Sequence, residues 1–228
     1  MSLKIVFMGT PEFSIPALKI LKQSKHKIVC VYTQPPKKQS RGQKIKKTAV
    51  HVFSENEGIK VKTNKLSDEK EYEDFTKLNP DLVVVIAYGQ IIPDIYLKKP
   101  NLIFLNVHAS LLPKWRGAAP IERAILNKDK ETGISIMKIE KKLDAGPFIK
   151  QVTVKINKDT TSGELNKKLS FLGAEALKDS IELITSNKVN FSQQNEKYAK
   201  AETMTLHILV HNSSGFKTPV CPNPRLCL

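Results

Sequence analysis

The chain has 228 residues, of which 40% are hydrophobic and 26% charged. That fits one large domain, or one domain with an appendage, and excludes wholesale disorder. No apolar run approaches the ~20 residues that span a bilayer. The apolar stretch Leu3 to Met8 is too short for a signal peptide. Three cysteines (Cys30, Cys221, Cys227) make neither a disulfide framework nor a paired metal-ligand spacing. A soluble cytoplasmic protein, monomeric and without a metal, is expected.

The net charge of +15 invites a nucleic-acid reading. Only four of the 37 basic residues are arginine, however, and lysine spread along a chain mostly covers solvated faces. One stretch stands apart. Gln34 to Val50 holds Lys37, Lys38, Arg41, Lys44, Lys46 and Lys47 with no acid at all.

Buried strands are predicted at Leu3 to Met8 and His26 to Tyr32, both rich in β-branched residues. Between them Phe13, Ala17, Leu18, Ile20 and Leu21 recur at helical spacing, with Pro16 tolerated near the helix start. Helices are expected over Thr48 to Asn56, closed by Gly58, and Ser67 to Leu78, closed by Asn79 and Pro80. The continuous apolar runs Asp81 to Ala87 and Leu102 to Val107 suit central parallel strands. Strands separated by helices imply an α/β fold, a Rossmann-like parallel sheet with helices on both faces. Gly133 to Ile139 and Phe148 to Ile156 suggest an antiparallel extension. Ser162 to Ser186 is a long amphipathic helix. Beyond Asn187 the signal thins.

A doubly wound sheet binds ligands at the carboxyl ends of its strands. Gly9-Thr10-Pro11-Glu12-Phe13 after the first strand is not a dinucleotide fingerprint, and no phosphate loop is present. At the end of the Leu102 run, Asn106 and His108 lie two apart, so on an extended chain they face the same way. Together an amide and an imidazole can polarise one carbonyl. No nucleophile elbow surrounds Ser110. Taken alone, His108 also suits a structural histidine, and Asp144, in Leu143-Asp144-Ala145-Gly146-Pro147, also suits a turn cap. Together Asn, His and Asp form a polar triad without a nucleophile, fit for transfer from a carbonyl donor to an amine.

The run Asn106-Val107-His108-Ala109-Ser110-Leu111-Leu112-Pro113-Lys114-Trp115-Arg116-Gly117-Ala118-Ala119-Pro120-Ile121 resembles the signature of the methionyl-tRNA formyltransferase family. Gly9 to Phe13, Val85-Ile86-Ala87-Tyr88-Gly89 and Leu143 to Gly146 extend the resemblance, which runs from residue 3 to about residue 199. It implies a formyltransferase fold and transfer of a formyl group from 10-formyltetrahydrofolate to the α-amine of methionine on initiator Met-tRNA, for translation initiation. Asn106 would bond the formyl oxygen, and His108 would stabilise the tetrahedral intermediate and help move protons. Asp144 would tune His108 and assist deprotonation of the amine. Ser110, Leu111, Leu112 and Pro113 would line the folate pocket, with backbone around Ile86, Tyr88, Gly89 and Ile91 meeting the pterin. The basic stretch resembles an insertion loop that enters the tRNA acceptor stem, through Arg41-Gly42 and Lys37, Lys38, Lys44, Lys46 and Lys47. Arg41→Ala is expected to weaken tRNA formylation and leave folate binding alone.

Full-length members of the family carry a second, C-terminal domain. Glu196-Lys197-Tyr198-Ala199-Lys200 still resembles the linker, and the sequence then diverges. The expected organisation is a catalytic domain at 1–187, a linker-like segment at 188–200 and a divergent tail at 201–228, the mark of a frameshift or premature stop. Such a loss would impair tRNA binding before the chemistry. Two alternatives stand beside this expectation: an amino-sugar N-formyltransferase, and a non-catalytic remnant that binds folate or RNA.

Overall fold

The computed structural model describes residues 2–39 and 44–199. Strand β1 (Lys4–Gly9) leads through a 3-10 turn (Glu12–Ser14) into α1 (Ile15–Gln23) and then β2 (Lys27–Tyr32). Next come β3 (Lys37–Gln39), β4 (Lys44–Lys46), α2 (Ala49–Asn56), β5 (Val61–Lys62) and α3 (Glu69–Leu78). They are followed by β6 (Leu82–Ile86), α4 (Asp94–Leu97), β7 (Ile103–His108) and α5 (Pro120–Leu126). Finally β8 (Glu131–Lys138) and β9 (Phe148–Lys155) precede the long helix α6 (Ser162–Thr185).

The main sheet has the order β5-β2-β1-β6-β7-β8-β9. Every pairing from β5 to β7 is parallel, whereas β8 and β9 are antiparallel additions. The chain steps outward from β1 through β2 to β5, then returns to lay β6 on the other side of β1. That reversal opens a crevice beyond the carboxyl ends of β1 and β6, where doubly wound folds bind their ligands.

Alternation along the strands divides the core between two faces. Ile5 and Phe7 of β1 join Val84, Leu105 and Val107 under α1, α2, α5 and α6. Val6 and Met8 join Val83, Val85 and Phe104 on the opposite face, where Phe75 of α3 and Tyr96 of α4 close the layer. Helix α6 starts at a capping box between Thr161 and Glu164, which satisfies its first N–H groups.

One polar group interrupts the second layer. Glu71 of α3 is 1% exposed and accepts from Lys62 Nζ and Tyr32 Oη, each at 2.7 Å. A buried carboxylate is tolerated when it is paired in this way.

The α/β reading therefore holds, with a mostly parallel seven-stranded sheet. The basic stretch is more ordered at its base than a plain loop. β3 and β4 pair antiparallel, with Lys37 opposite Lys46. Arg41 and Gly42 lie outside the described residues, as does everything from Lys200 onward, including Cys221 and Cys227. The segment at 188–199 folds back on the domain: Ser192 exchanges both backbone hydrogen bonds with Phe148, at 2.9 and 3.0 Å.

Candidate active site

Strand β7 delivers the first two polar residues. Val85 of β6 pairs with Asn106, so the segment 86–92 leaves the sheet directly beside that residue. Asn106 and His108 share a face, as their two-residue spacing requires, and both meet one carboxylate. Asn106 Nδ2 donates to Asp144 Oδ1 at 3.3 Å, and His108 Nδ1 lies 3.6 Å from Asp144 Oδ2.

The other ring nitrogen of His108, Nε2, is 2.8 Å from the Trp115 carbonyl. A carbonyl can only accept, so Nε2 carries a hydrogen and Nδ1 is the position open to a proton. At 3.6 Å the Nδ1 contact is too long for a direct hydrogen bond, and it becomes an attractive ion pair once Nδ1 is protonated. Both side chains are largely withdrawn from water, at 7% exposure for His108 and 14% for Asp144. Charge interactions are stronger there than on the surface.

The turn bearing Asp144 is set by close backbone approach. A Cβ on Gly146 would sit 2.0 Å from the Lys138 carbonyl, so only glycine lets the turn lie against β8. The Asp144 Oδ2 atom also accepts from the Gly117 backbone N–H at 2.9 Å. Ala87, Trp115, Ala119 and Asp144, all non-glycine residues around the site, hold φ between 45° and 57°. Left-handed backbone outside glycine is sparse, and its clustering here marks a locally over-determined site.

Beyond His108 the chain turns sharply through Ser110 to Pro113, and the Leu112–Pro113 peptide is cis. Ser110 is fully buried, and its hydroxyl donates to the Lys114 carbonyl at 2.5 Å. Ser135 Oγ donates to the Ser110 carbonyl and accepts the Leu112 N–H, and Gln151 Nε2 donates to the Leu112 carbonyl. Ser110 and Leu112 thus stiffen the wall from behind, while Leu111 and Pro113 are partly exposed. On the neighbouring segment the side chains of Ile86 and Tyr88 are buried, whereas Ala87, Gly89 and Ile91 face outward.

The lysines lie apart from the triad, around the base of the hairpin. Lys37, Lys46 and Lys47 line a cavity of about 300 Å³ with Thr10, Gln34 and Thr48, at the carboxyl end of β1. Thr10 Oγ1 donates to the Tyr88 carbonyl at 2.7 Å, which joins this cavity to the end of β6. Lys47 is already paired with Glu55 at 2.7 Å. In the hairpin register Lys38 of β3 is opposite Ile45, and Lys44 of β4 is opposite Gln39. Among the described residues, no cluster of three His, Cys, Asp or Glu could hold a metal ion.

Sequence reasoning missed three participants. Trp115 and Gly117 act through their backbone, which no side-chain pattern reveals. Arg116 is 4% exposed and hydrogen-bonded to Gln194 and Glu196. Its rarity as an arginine in a lysine-rich chain was the available signal.

The Formyl transferase family model matches residues 3–181. The chain belongs to the formyl transferase family. It is 48% identical over 201 residues to the methionyl-tRNA formyltransferase of Pelagibacter ubique, covering 87% of this chain and 65% of that protein. It is 44% identical over 200 residues to the protein of the same name from Coxiella burnetii, covering 87% and 64%. This formyl transferase chain therefore spans just under two thirds of the length of these curated relatives. Among solved structures, a phosphoribosylglycinamide formyltransferase from Anaplasma phagocytophilum superposes with a TM-score of 0.67 at 21% identity, covering 86% of this chain and 97% of that one. An N-formyltransferase from Helicobacter canadensis, complexed with folinic acid and dTDP-3-aminofucose, gives 0.67 at 23%, covering 89% and 71%. At those identities the two structures establish the shared fold.

Proposed function

We propose that this formyl transferase moves a formyl group from 10-formyltetrahydrofolate to the α-amine of methionine on initiator tRNA. The observation that carries the chemistry is the convergence of Asn106, His108 and Asp144 at the end of β7, with no nucleophile among them. The choice of acceptor rests on the names of the relatives at 44% and 48% identity.

The residues present fit a flat folate donor. Gly89 and Ile91 (77% exposed) beyond β6, and Leu143 (70% exposed) next to Asp144, face outward and are free to meet that donor. Lys141, three residues before Asp144, and Asp94 of α4 lie 3.6 Å apart. Leu111 and Pro113 supply the apolar wall, held from behind by buried Ser110 and Leu112. When bound, the donor supplies a formyl carbon open to attack by an amine.

Asn106 has two amide hydrogens, and the one not aimed at Asp144 serves the oxygen on which negative charge develops. His108 takes up a proton at Nδ1 as the amine loses one, Asp144 opposite stabilises the resulting cation, and the ring returns that proton to the donor nitrogen as its bond to the formyl carbon breaks, so that tetrahydrofolate leaves. Nε2 stays tied to the Trp115 carbonyl, so the ring keeps its orientation through the exchange.

The basic hairpin suits an RNA partner. Lys37 and Lys46 stand directly opposite each other, an arrangement that costs stability until an anion lies between them. Phosphates of an acceptor stem would supply that charge, with Lys38, Arg41, Gly42, Lys44 and Lys47 completing the proposed contact. On this reading residues 1–187 form the catalytic unit, acting as a cytoplasmic monomer, and 188–200 lead out of it.

The test incubates the protein with labelled 10-formyltetrahydrofolate and, separately, charged initiator tRNA, free methionine and an amino-sugar nucleotide. Transfer to the charged tRNA that disappears in His108→Ala supports the reading. Transfer to the sugar alone refutes it.

A further inference from the structure

Arg116 lies between the two backbone groups that hold the ends of the histidine–carboxylate pair, the Trp115 carbonyl and the Gly117 N–H. Its guanidinium is buried against the segment that follows α6. Nε and Nη2 donate to Gln194 Oε1 at 2.9 and 2.7 Å, and Nη1 and Nη2 donate to Glu196 at 3.1 and 2.9 Å. Gln194 is itself 9% exposed. Its amide nitrogen uses both hydrogens on the other loop, donating to the Asp144 carbonyl at 2.9 Å and the Gly146 carbonyl at 2.7 Å.

One side chain thus spans two loops. Its oxygen grips the loop that supplies Trp115 and Gly117, and its nitrogen grips the turn that supplies Asp144. Asp144 has φ of 45° and its neighbours Lys141 to Leu143 are exposed; Asn106 and the Gly117 N–H hold its carboxylate, and the two Gln194 bonds hold the backbone of the turn itself. We infer that Gln194 is a positioning residue for formyl transfer, fixing the separation of Asp144 from His108 by clamping the Asp144 turn to the 115–117 loop that holds the His108 ring. The inference rests on the reading of Asn106, His108 and Asp144 as the transfer site. It makes the segment after α6 part of the catalytic architecture rather than a passive lead-out.

Gln194→Met keeps the length and removes every hydrogen bond. Gln194→Glu keeps an acceptor for Arg116 but turns an oxygen toward the Asp144 and Gly146 carbonyls. Both changes are made in the full chain. A displacement of about 1 Å at a transfer site costs on the order of 100-fold in rate. Gln194→Met and Gln194→Glu are therefore each expected to lower kcat by roughly 10- to 100-fold, with the KM for the formyl donor little changed. The imidazole ¹⁵N resonances of His108, recorded without substrate, are expected to move in both. If the variants melt earlier but keep wild-type kcat and unchanged His108 resonances, Gln194 is merely structural and the inference is overturned. Wild-type behaviour of Gln194→Glu beside a damaged Gln194→Met would also overturn it, since the Arg116 contact alone would then matter. If the wild-type chain transfers no formyl group while the His108 resonances still move, the functional reading fails and the positional tie stands.

Discussion

The backbone N–H of Gly117 donates to Oδ2 of Asp144 at 2.9 Å, and that same oxygen faces Nδ1 of His108. A main-chain donor aims the carboxylate without competing for a proton. The arrangement couples the end of β7, at 106–108, with two loops, at 115–117 and 144–146, that are adjacent because β7 ends where β8 and β9 fold back. The geometry of this site is a property of loop-to-loop contacts laid over a stiff sheet.

Gly146→Ala places a methyl group 2.0 Å from the Lys138 carbonyl. Relief requires the turn to lift away from β8, carrying Asp144 with it. Urea unfolding is expected to show a loss of about 1–3 kcal/mol. Formyl transfer by the still-folded protein is expected to fall as well, and unchanged transfer would show that the turn is not needed in its observed place.

The hairpin lysines should not weigh equally in RNA binding. Lys47 is half-neutralised by Glu55, while Lys46 faces Lys37 across the hairpin. Lys46→Ala is expected to reduce the slope of log affinity for tRNA against log salt by about 1. Lys47→Ala is expected to change it less. Equal slopes for wild type and both variants would remove the hairpin from the RNA interface.

Glu196 supplies a local acid sensitivity. Hydrogen bonds from Arg116 and Lys142 hold its carboxyl at about 2, against an ordinary 4.5. A depressed folded-state value means that its contribution is fully present above about pH 4.5 and is lost as the pH falls through about 2. Hydrogen exchange in residues 194–198 is expected to accelerate over that window, and to be fast and nearly pH-independent in Glu196→Gln once intrinsic exchange is corrected for. The exposed carboxylate limits the size of the effect, which salt should shrink further.

Much of the fold was legible because buried parallel strands are continuous apolar runs: Leu3 to Met8 against an observed Lys4–Gly9, and Leu102 to Val107 against Ile103–His108. Helix α6 announced itself by its length and amphipathic stripe. The hairpin was not legible, since Lys, Gln and Gly carry little strand preference. Helix α5, at seven residues, is too short to show a period. Asn106 and His108 could be paired by strand spacing, whereas no spacing links Asp144 to them, and it joins them on the chemistry of a polar triad and on the resemblance. Arg116 and Gln194 are 78 residues apart, so no local pattern could link them. Ser110, expected as pocket lining, has a buried side chain bonded to the Lys114 carbonyl, which its sequence position did not reveal.

The most direct measurement is single-turnover transfer of a labelled formyl group from 10-formyltetrahydrofolate to charged initiator tRNA, comparing wild type with Asp144→Asn. The asparagine keeps the shape of the carboxylate and removes its charge beside His108. Transfer is expected in the wild type and to be slower by about 10²- to 10⁴-fold in the variant, the range for a positioned proton-transfer group, with donor binding retained. Equal rates in the two proteins would contradict the account of the Asn106, His108 and Asp144 site.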